Sequence, residues 1–382
     1  MQAFDRGRAM VARMLRILLR IAYGVLTLVV LVVGATLLLP VFGGTPRGQR
    51  LAVIKRSPHF ADDKFRNLEA THMLQPGTFW QMLGHSVFGD EQRVPTRALP
   101  VVRRARVDYE TPPASGLRAT WIGHATTLVE LEGRRILFDP VFSERCSPVS
   151  FAGPKRFFPP PLLLSELPRI DVVAISHDHY DHLDMPSIRA LAAQDVEFVV
   201  PLGMGAHLER WGVTQARINE LDWYDTATIA GLRLLAAPAR HYSGRGILGG
   251  DRVQWASWIV LGTRARVFFS GDSGYSAEFV NIGRHFGPFD LTLIKIGASD
   301  ATWEEIHMSP ESAVRTHRDL RGKLLLPVHW ATFNLANHAW NEPAQRFVAA
   351  AEAQQVAYAV PRPGEFVEPG VHEPRQVWWA EP

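Results

Sequence analysis

The stretch that most constrains this chain is a turn of metal-binding side chains that follows a short apolar run. The run 172–175 contains only apolar residues, which is typical of a strand buried on both faces. Directly after it, four candidate ligands occur within six positions, namely His177, His179, Asp181 and His182. Imidazole and carboxylate together suit zinc or a similar divalent cation. The turn therefore predicts a metal site at a strand end, in preference to a polar loop that is rich in histidine by chance.

The spacing within this turn indicates more than one metal. Alternate side chains of an extended chain point the same way, so His177, His179 and Asp181 can converge. The side chain of the next residue, His182, then points in another direction, toward a second metal centre. After the turn, Asp184 is typical of a helix start and the run 196–200 of another strand, and this strand–helix–strand order indicates an α/β layered body.

Three further candidate ligands stand at the ends of later strand-like runs. They are His241 after the run 232–237, Asp272 after 266–269, and His329 after 323–326. Side chains at one end of a layered sheet converge on one site, so we expect all three to join the histidine-rich turn. The residues thus predict seven ligands at one site, without assigning them to individual metals.

Two polar residues near the first predicted hairpin, 128–138, are candidates for supporting roles. Asp139 closes the hairpin, where it is either a plain turn former or a partner that orients a ligand. For His124 we expect a buried orienting role in preference to a role as a ligand. Lys155 and Arg156 lie in a later loop that either presents them to an anion or is a rigid surface loop.

Composition narrows the class of protein. The chain has 382 residues, of which 47% are hydrophobic and 21% charged, as in ordinary globular proteins. A net charge of +3 is too small to argue for nucleic acid as a partner. Cys146 is the only cysteine, which excludes an intramolecular disulfide and a cysteine-based zinc knuckle. A chain without disulfides fits either redox compartment.

The uncharged run from Ile21 to Phe42 has about the 20 residues needed to cross a bilayer as a helix. It is longer than a signal-peptide core and lacks a small-x-small cleavage site, so it predicts an uncleaved single-pass anchor. The basic residues before the run outnumber those after it, which favours a catalytic body on the periplasmic or extracytoplasmic side. These residues are Arg6, Arg8, Arg13, Arg16 and Arg20 before the run, and Arg47, Arg50, Lys55 and Arg56 after it.

These motifs together resemble the metallo-β-lactamase superfamily, and more closely its branch of N-acylphosphatidylethanolamine-hydrolysing phospholipases D. The motifs lie between about residues 60 and 370, and they are 121–126, 138–140, 153–157, 165–168, 175–184, 238–241, 271–275, 307–313 and 329–333. The resemblance implies an α/β fold, an αββα sandwich with two zinc ions between its sheets. The N-terminal transmembrane helix is a departure that the resemblance would not predict. Resemblance and residue pattern together predict three regions: a tail and anchor at 1–45, an extension at 46–115 that packs on the active site or forms a lip beside it, and a hydrolase domain at 116–382.

The resemblance also implies roles for individual residues. His177, His179 and His241 would hold one zinc; Asp181, His182 and His329 would hold the other, with Asp272 bridging both. The catalytic residues implied are Asp181 and Asp272, which position the attacking hydroxide, and His307, which matches a family histidine that approaches the phosphodiester. Asp178 departs from the family, because related sequences often have a neutral residue there.

The function implied is that of a membrane-tethered zinc-dependent phosphodiesterase. A hydroxide bridging two zinc ions would attack N-acylphosphatidylethanolamine or a related lipid. The partners implied are a membrane phospholipid, the membrane itself and a second copy in a homodimer, with no nucleic acid. Two alternatives stay open: a lactonase or carboxylic-ester hydrolase on the same centre, and a membrane-bound binding protein whose metals are structural.

Overall fold

The computed structural model describes the backbone of residues 2–37, 39–246 and 250–380, and the side chains of these residues except 2–12, 32 and 35–37. The chain divides into two compact units, Met1–Phe42 and Gly43–Pro382. The second unit contains every residue that the sequence nominates for the active site.

The first unit is a single long helix, α1 (Gln2–Leu37), followed by a 3-10 turn at Pro40–Phe42. Its segment Arg13–Leu31 is long and apolar enough to cross a membrane and is unburied. The predicted span 21–42 overlaps this segment at residues 21–31, and the rest of the predicted span includes side chains outside the described part of the chain. The helix already includes the arginines before residue 21, and it ends ahead of Pro40, which cannot continue a helix. By length and composition, this segment fits a membrane anchor or a signal sequence.

The second unit alternates strands and helices. Its helices are α2 (Gly48–Ile54), α3 (Phe79–Phe88), α4 (Met185–Ala192), α5 (Gly205–Arg210), α6 (Glu278–Phe286), α7 (Pro310–Asp319) and α8 (Glu342–Ala353). Its strands are β1 (Phe60–Ala61), β2 (Lys64–Phe65), β3 (Leu117–Gly123), β4 (Thr126–Leu131), β5 (Arg134–Phe138), β6 (Val172–Ala174), β7 (Glu197–Pro201), β8 (Ile218–Leu221), β9 (Thr226–Ile229), β10 (Leu232–Ala237), β11 (Ser257–Leu261), β12 (Arg266–Phe269), β13 (Phe289–Lys295), β14 (Gly322–Val328) and β15 (Phe366–Val367). Short 3-10 turns occur at Arg106–Tyr109, Leu164–Glu166 and Gln215–Arg217.

Two mixed sheets form the centre of this unit. The first has the strand order β15-β3-β4-β5-β6-β7-β8, and the second has the order β14-β13-β12-β11-β10-β9. Strands β5 to β8 are parallel to one another, as are β12, β13 and β14. Strands β1 and β2 form a separate two-stranded ribbon.

Neighbouring residues of one strand enter different cores, which explains the apolar runs in the sequence. The ring of Phe138 on β5 stacks on Phe269 of the second sheet, with their centroids 4.6 Å apart. The preceding residue, Leu137, belongs instead to a second buried cluster that includes Ile188 and Leu191 of α4. Because both faces of the sheet are covered, its strands need apolar side chains at successive positions. The predicted α/β sandwich is confirmed.

Local chemistry explains why the elements start and stop where the sequence indicates. Asp184 caps α4 by accepting a hydrogen bond from the backbone N–H of Ser187. The predicted hairpin consists of β4 and β5, and both turn residues, Glu132 and Gly133, have positive φ angles of 51° and 81°. Strands β10 and β12 have the bounds predicted for the runs before His241 and Asp272.

Candidate metal-dependent active site

Three histidines from two strand ends form the first group of ligands, here called the three-histidine cluster. His177 and His179 follow β6, and His241 follows β10. The Nδ1 atom of His179 lies 2.9 Å from Nε2 of His177 and 3.3 Å from Nε2 of His241. Three ring nitrogens thus face one another closely enough to bind a single cation.

The second group, here called the carboxylate cluster, consists of Asp181, His182, Asp272 and His329. Nε2 of His329 lies 3.1 Å from Oδ1 of Asp272 and 3.4 Å from Oδ2 of Asp181. Nε2 of His182 lies 3.4 Å from Oδ2 of both aspartates. Oδ2 of Asp272 is also 3.9 Å from Nε2 of His241, so Asp272 lies between the two clusters. All seven residues predicted as ligands are together in space.

A glycine permits this convergence. Gly271, which precedes Asp272, has a φ of 55°, and a Cβ atom at this position would lie 2.5 Å from the Cβ of Ser176. Any larger residue would push the end of β12 away from the histidine-rich turn. The close approach of Gly271 to Ser176, which brings Asp272 near the histidine-rich turn, is therefore part of the site.

Hydrogen bonds from surrounding residues fix the orientation of several candidate ligands. Asp139 accepts from Nδ1 of His182 at 2.6 Å, and from the backbone N–H and hydroxyl of Ser176. Nδ1 of His241 donates to the carbonyl of Ile306 at 3.0 Å, which leaves Nε2 free to face the other histidines. The orienting alternative for Asp139 is confirmed. Such partners determine which ring nitrogen is available to a metal.

His124 is buried beside the carboxylate cluster. Its Nε2 donates to Oδ2 of Asp181 at 2.9 Å, and its ring lies 3.8 Å from that of His329 between centroids. Burial and the nearby His329 lower the pKa of His124 to about 3. The residue therefore has the contacts of the buried, orienting histidine that the sequence predicts.

The donor atoms fit a divalent cation. Nε2 of His329 lies 3.1 Å from Oδ1 of Asp272, yet neither of these buried atoms, nor the buried Nε2 of His182, makes a well-aligned hydrogen bond among the described residues. Leaving such atoms without a partner costs about 1–3 kcal/mol each. Burial lowers the pKa of His241 to about 3, which keeps its ring neutral and its lone pair available.

Charge favours a cation as well. Burial disfavours a charge on His182, yet the carboxylates of Asp272, Asp181 and Asp139 together raise its pKa well above the usual value. The carboxylate cluster thus attracts positive charge strongly enough to overcome the cost of burial. Zinc and similar ions bind such mixed nitrogen and oxygen donors.

His307 lies beside both clusters. Its Nδ1 is 3.7 Å from Oδ2 of Asp272, and its ring centroid is 5.1 Å from that of His241. Burial and the neighbouring Lys295 lower the pKa of His307 well below the usual value, so the ring is neutral near pH 7. A neutral imidazole at this place can donate one hydrogen bond or accept one proton.

A cavity of about 580 Å³ opens onto the clusters. Polar residues of the site form one side of it, namely His179, Asp181, Asp272 and His307. The remaining wall is largely apolar and includes Met73, Leu74, Phe79, Met82, Trp303, Ile306 and Leu335. The size and lining are those of a pocket for a small molecule or for part of a lipid.

Some residues near the site were not predicted. Lys295 ends β13, has no exposed surface, and its Nζ has no hydrogen-bond partner in the described parts of the chain. Burial lowers the pKa of Lys295 to about 7. A lysine inside the apolar run 293–296 was a signal that could have been noticed. Tyr242 also lines the cavity, with its ring 4.5 Å from that of His179, and only its position next to His241 hints at this.

Other candidates from the sequence have structural contacts. His207 is buried, with its Nε2 3.4 Å from Oδ2 of Asp178, so this departure from the family has a nearby partner. Arg156 is also buried and donates to the carbonyl of Val141, whereas the exposed Lys155 pairs with Glu144 at 2.7 Å.

Comparisons with known proteins agree with this geometry. The family profile of the beta-lactamase superfamily domain matches residues 134–330. A protein of Mycobacterium tuberculosis (strain H37Rv), described as uncharacterized, is 43% identical over 96% of this chain and 100% of its own length. The N-acyl-phosphatidylethanolamine-hydrolyzing phospholipase D 1 of Caenorhabditis elegans is 36% identical over 65% of this chain and 73% of its own.

A solved structure shares the fold. Igni18, a metallo hydrolase from the archaeon Ignicoccus hospitalis, aligns over 66% of this chain and 97% of its own with a TM-score of 0.51 and 24% identity. Family profile, relatives and fold therefore agree, and the chain belongs to the metallo-β-lactamase superfamily as a metal-dependent hydrolase.

Proposed function

We propose that this hydrolase is a membrane-tethered, zinc-dependent phosphodiesterase of the phospholipase D type. Its substrate would be N-acylphosphatidylethanolamine or a related membrane phospholipid. The observation that carries the proposal is the largely apolar cavity that opens directly onto the two ligand clusters. Phospholipases D named for this lipid in Caenorhabditis elegans and Saccharomyces cerevisiae are 36% and 31% identical to the aligned parts of the chain.

Two zinc ions would be held by the two clusters. The three-histidine cluster would hold one and Asp181, His182 and His329 the other, while Asp272 would contribute to both. When bound, the metals would supply Lewis-acid chemistry, which polarises a phosphoryl oxygen and lowers the pKa of water to about 7. This assignment is supported by the buried donor atoms that have no other partner in the described chain.

The side chains of the site would then carry out distinct tasks. Asp181 and Asp272 accept hydrogen bonds from the attacking water and aim its oxygen at phosphorus. As the new P–O bond forms, the bond from phosphorus to the head-group oxygen breaks. His307 is neutral near pH 7 and 3.7 Å from Asp272, so it can accept the proton that the attacking water releases and pass it to the departing oxygen. The products are a phosphatidic acid and the alcohol of the head group.

The apolar wall of the cavity would bind acyl chains. Phe79 and Met82 of α3 line the cavity, while Trp80 and Phe88 of the same helix are 76% and 85% exposed. We expect lipid chains to displace water from this wall, which strengthens the electrostatic interactions at phosphorus. The helix segment Arg13–Leu31 would act as an uncleaved tether, with the body on the periplasmic or extracytoplasmic side. A homodimer stays a prediction.

The test is a hydrolysis screen of the zinc-loaded protein with product identification by mass spectrometry. Substrates are N-acylphosphatidylethanolamine, other phospholipids, lactones and carboxylic esters, with Asp272→Asn as the inactive control. We expect a phosphatidic acid and an N-acylethanolamine as products. Turnover of lactones or carboxylic esters alone would contradict the phosphodiesterase proposal and favour the alternative ester hydrolase. Metal analysis of the same sample checks for two zinc ions per chain.

A further inference from the structure

Asn67 belongs to a segment outside the matched family domain, yet it contacts a candidate ligand directly. Its Nδ2 donates to the backbone carbonyl of His241 at 2.8 Å, and its Oδ1 accepts from the backbone N–H of His241 at 3.0 Å. The buried Trp255 donates to the same Oδ1 at 3.2 Å. The side-chain amide thus satisfies both backbone groups of one residue.

The orientation of the amide follows from chemistry. A backbone carbonyl can only accept and a backbone N–H can only donate, so Asn67 needs both its oxygen and its nitrogen where they lie. An aspartate has the same shape but lacks the donor, and it would place an oxygen against the carbonyl of His241. Few other side chains can make both contacts from one backbone position.

Further contacts hold this segment against the site. The strap, defined as residues 67–75, accepts two hydrogen bonds from Arg240, at Thr71 Oγ1 and at the carbonyl of Ala70. Glu305 accepts from the same Arg240 at 2.8 Å, from the backbone N–H of His72 at 2.8 Å and from Gln75 at 2.9 Å. The strap therefore connects the chain around His241 with the chain before His307.

These contacts fix His241 at three points. Asn67 holds its backbone N–H and carbonyl, and the carbonyl of Ile306 accepts from its Nδ1. His177 and His179, by contrast, lie together in the turn after β6, and Arg245 holds this turn by donating to the carbonyls of Asp178 and Leu183. The Nε2 of His241 reaches the cluster from another strand, so its position depends on what holds its backbone.

We infer that Asn67 is a positioning residue for metal binding, which holds His241 so that the three-histidine cluster forms. The inference deepens the proposed function and rests on its assignment of a metal to that cluster. Residues that orient ligands from outside typically contribute 10–100-fold to metal affinity. The N-terminal extension would then be a structural part of the metal site, although the family profile begins at residue 134.

The test compares metal affinity in three variants of the full chain in detergent. Asn67→Asp keeps the shape and removes the donor, and Asn67→Ala removes both contacts without adding charge. Asn219→Asp is the matched control, because Asn219 is also partly buried and donates to Glu197 and to the carbonyl of Phe198 away from the site. Zinc affinity is measured by competition with a chromophoric chelator, the metal count by mass spectrometry, and the unfolding midpoint by circular dichroism.

We expect both Asn67 variants to bind one of two zinc ions about 10–100-fold more weakly, and excess zinc to restore their activity. Asn219→Asp should lower the unfolding midpoint without changing either affinity. The inference would be overturned if a folded Asn67 variant bound both zinc ions as tightly as the wild-type protein does. It would also be overturned if Asn219→Asp lost as much zinc affinity as the Asn67 variants. The proposed function fails separately if His177→Ala binds as much zinc as the wild-type protein.

Discussion

The two ligand clusters are built from similar residues but differ in charge. The three-histidine cluster has no carboxylate of its own, and its nearest one is Asp272, 3.9 Å from Nε2 of His241. The carboxylate cluster contains Asp181 and Asp272, and Asp139 stands behind its His182. The three-histidine cluster therefore offers neutral nitrogen lone pairs, and the carboxylate cluster offers negative charge. We expect the two clusters to differ in the charge that they contribute to a metal and in the number of protons that they release on binding it.

The clusters also differ in what supports them. In the carboxylate cluster, His182 donates to Asp139, which also accepts from Ser176, and these two residues follow neighbouring strands of the first sheet. In the three-histidine cluster, His241 is held by Asn67 of the strap and by Ile306. The first support is internal to the sandwich, and the second depends on the N-terminal extension. This difference explains how an extension can affect one metal more than the other.

The largest effect is expected from Asp272→Asn, because Asp272 lies between the clusters. Loss of its charge should weaken metal binding at both and lower kcat/KM by about 10³-fold, since a Lewis-acid metal contributes several kcal/mol. His241→Ala, by contrast, should cost one metal only. Metal counts by mass spectrometry and hydrolysis rates test this, and a loss of one metal in both variants would break the comparison.

His307→Gln should lower kcat about 10²-fold and leave both metals in place. The glutamine removes a group that can transfer a proton, and general acid–base catalysis contributes 10²–10⁴-fold. Steady-state kinetics with metal analysis of the same sample provides the measurement. If the variant lacks a metal, His307 is instead a ligand. Its Nδ1 lies 3.7 Å from Oδ2 of Asp272, which is close enough for the two residues to share a cation.

Asp139→Asn should affect the carboxylate cluster alone. Asp139 accepts from Nδ1 of His182 at 2.6 Å, and losing its charge should weaken one metal about 10–100-fold. Set beside Asn67→Asp, it forms a pair of variants that each act on one cluster. Zinc titrations of the two single variants and of the double variant test their independence. If both single variants weaken the same metal, the two supports are not separate.

The sequence was informative wherever a ligand follows a largely buried strand. The runs before His241 and Asp272 coincide with β10 and β12, because a mainly apolar run that leads to a polar residue is typical of such a strand. Asp139 was also noticeable, because it closes a hairpin beside the site. Seven ligands could therefore be nominated, although their grouping came only from the family resemblance.

Asn67 and Lys295 show where sequence reasoning stops. Asn67 makes contacts with residue 241, and an asparagine in an irregular segment gives no sign of a partner so distant along the chain. The apolar run around Lys295 hints that the lysine is buried, but only the structure shows that its Nζ has no hydrogen-bond partner among the residues described.

The smallest expected effect is a difference in how the two metal affinities depend on pH. In metal-free protein at pH 7, His182 holds a proton because the carboxylates around it raise its pKa well above 6.5 against the effect of burial. His241 holds none, because burial lowers its pKa to about 3. A metal entering the carboxylate cluster must displace that proton, so its affinity should rise about tenfold per pH unit between pH 6 and 7.

The metal of the three-histidine cluster should show almost no pH dependence over the same range. Calorimetric zinc titrations in buffers of different ionisation enthalpy count the protons released at each step, with Asp139→Asn as the variant that lowers the charge around His182. We expect release of about one proton for one metal and close to none for the other. Equal proton release at both steps would mean that the two clusters share one electrostatic environment, and the contrast between them would then lie only in what holds their ligands.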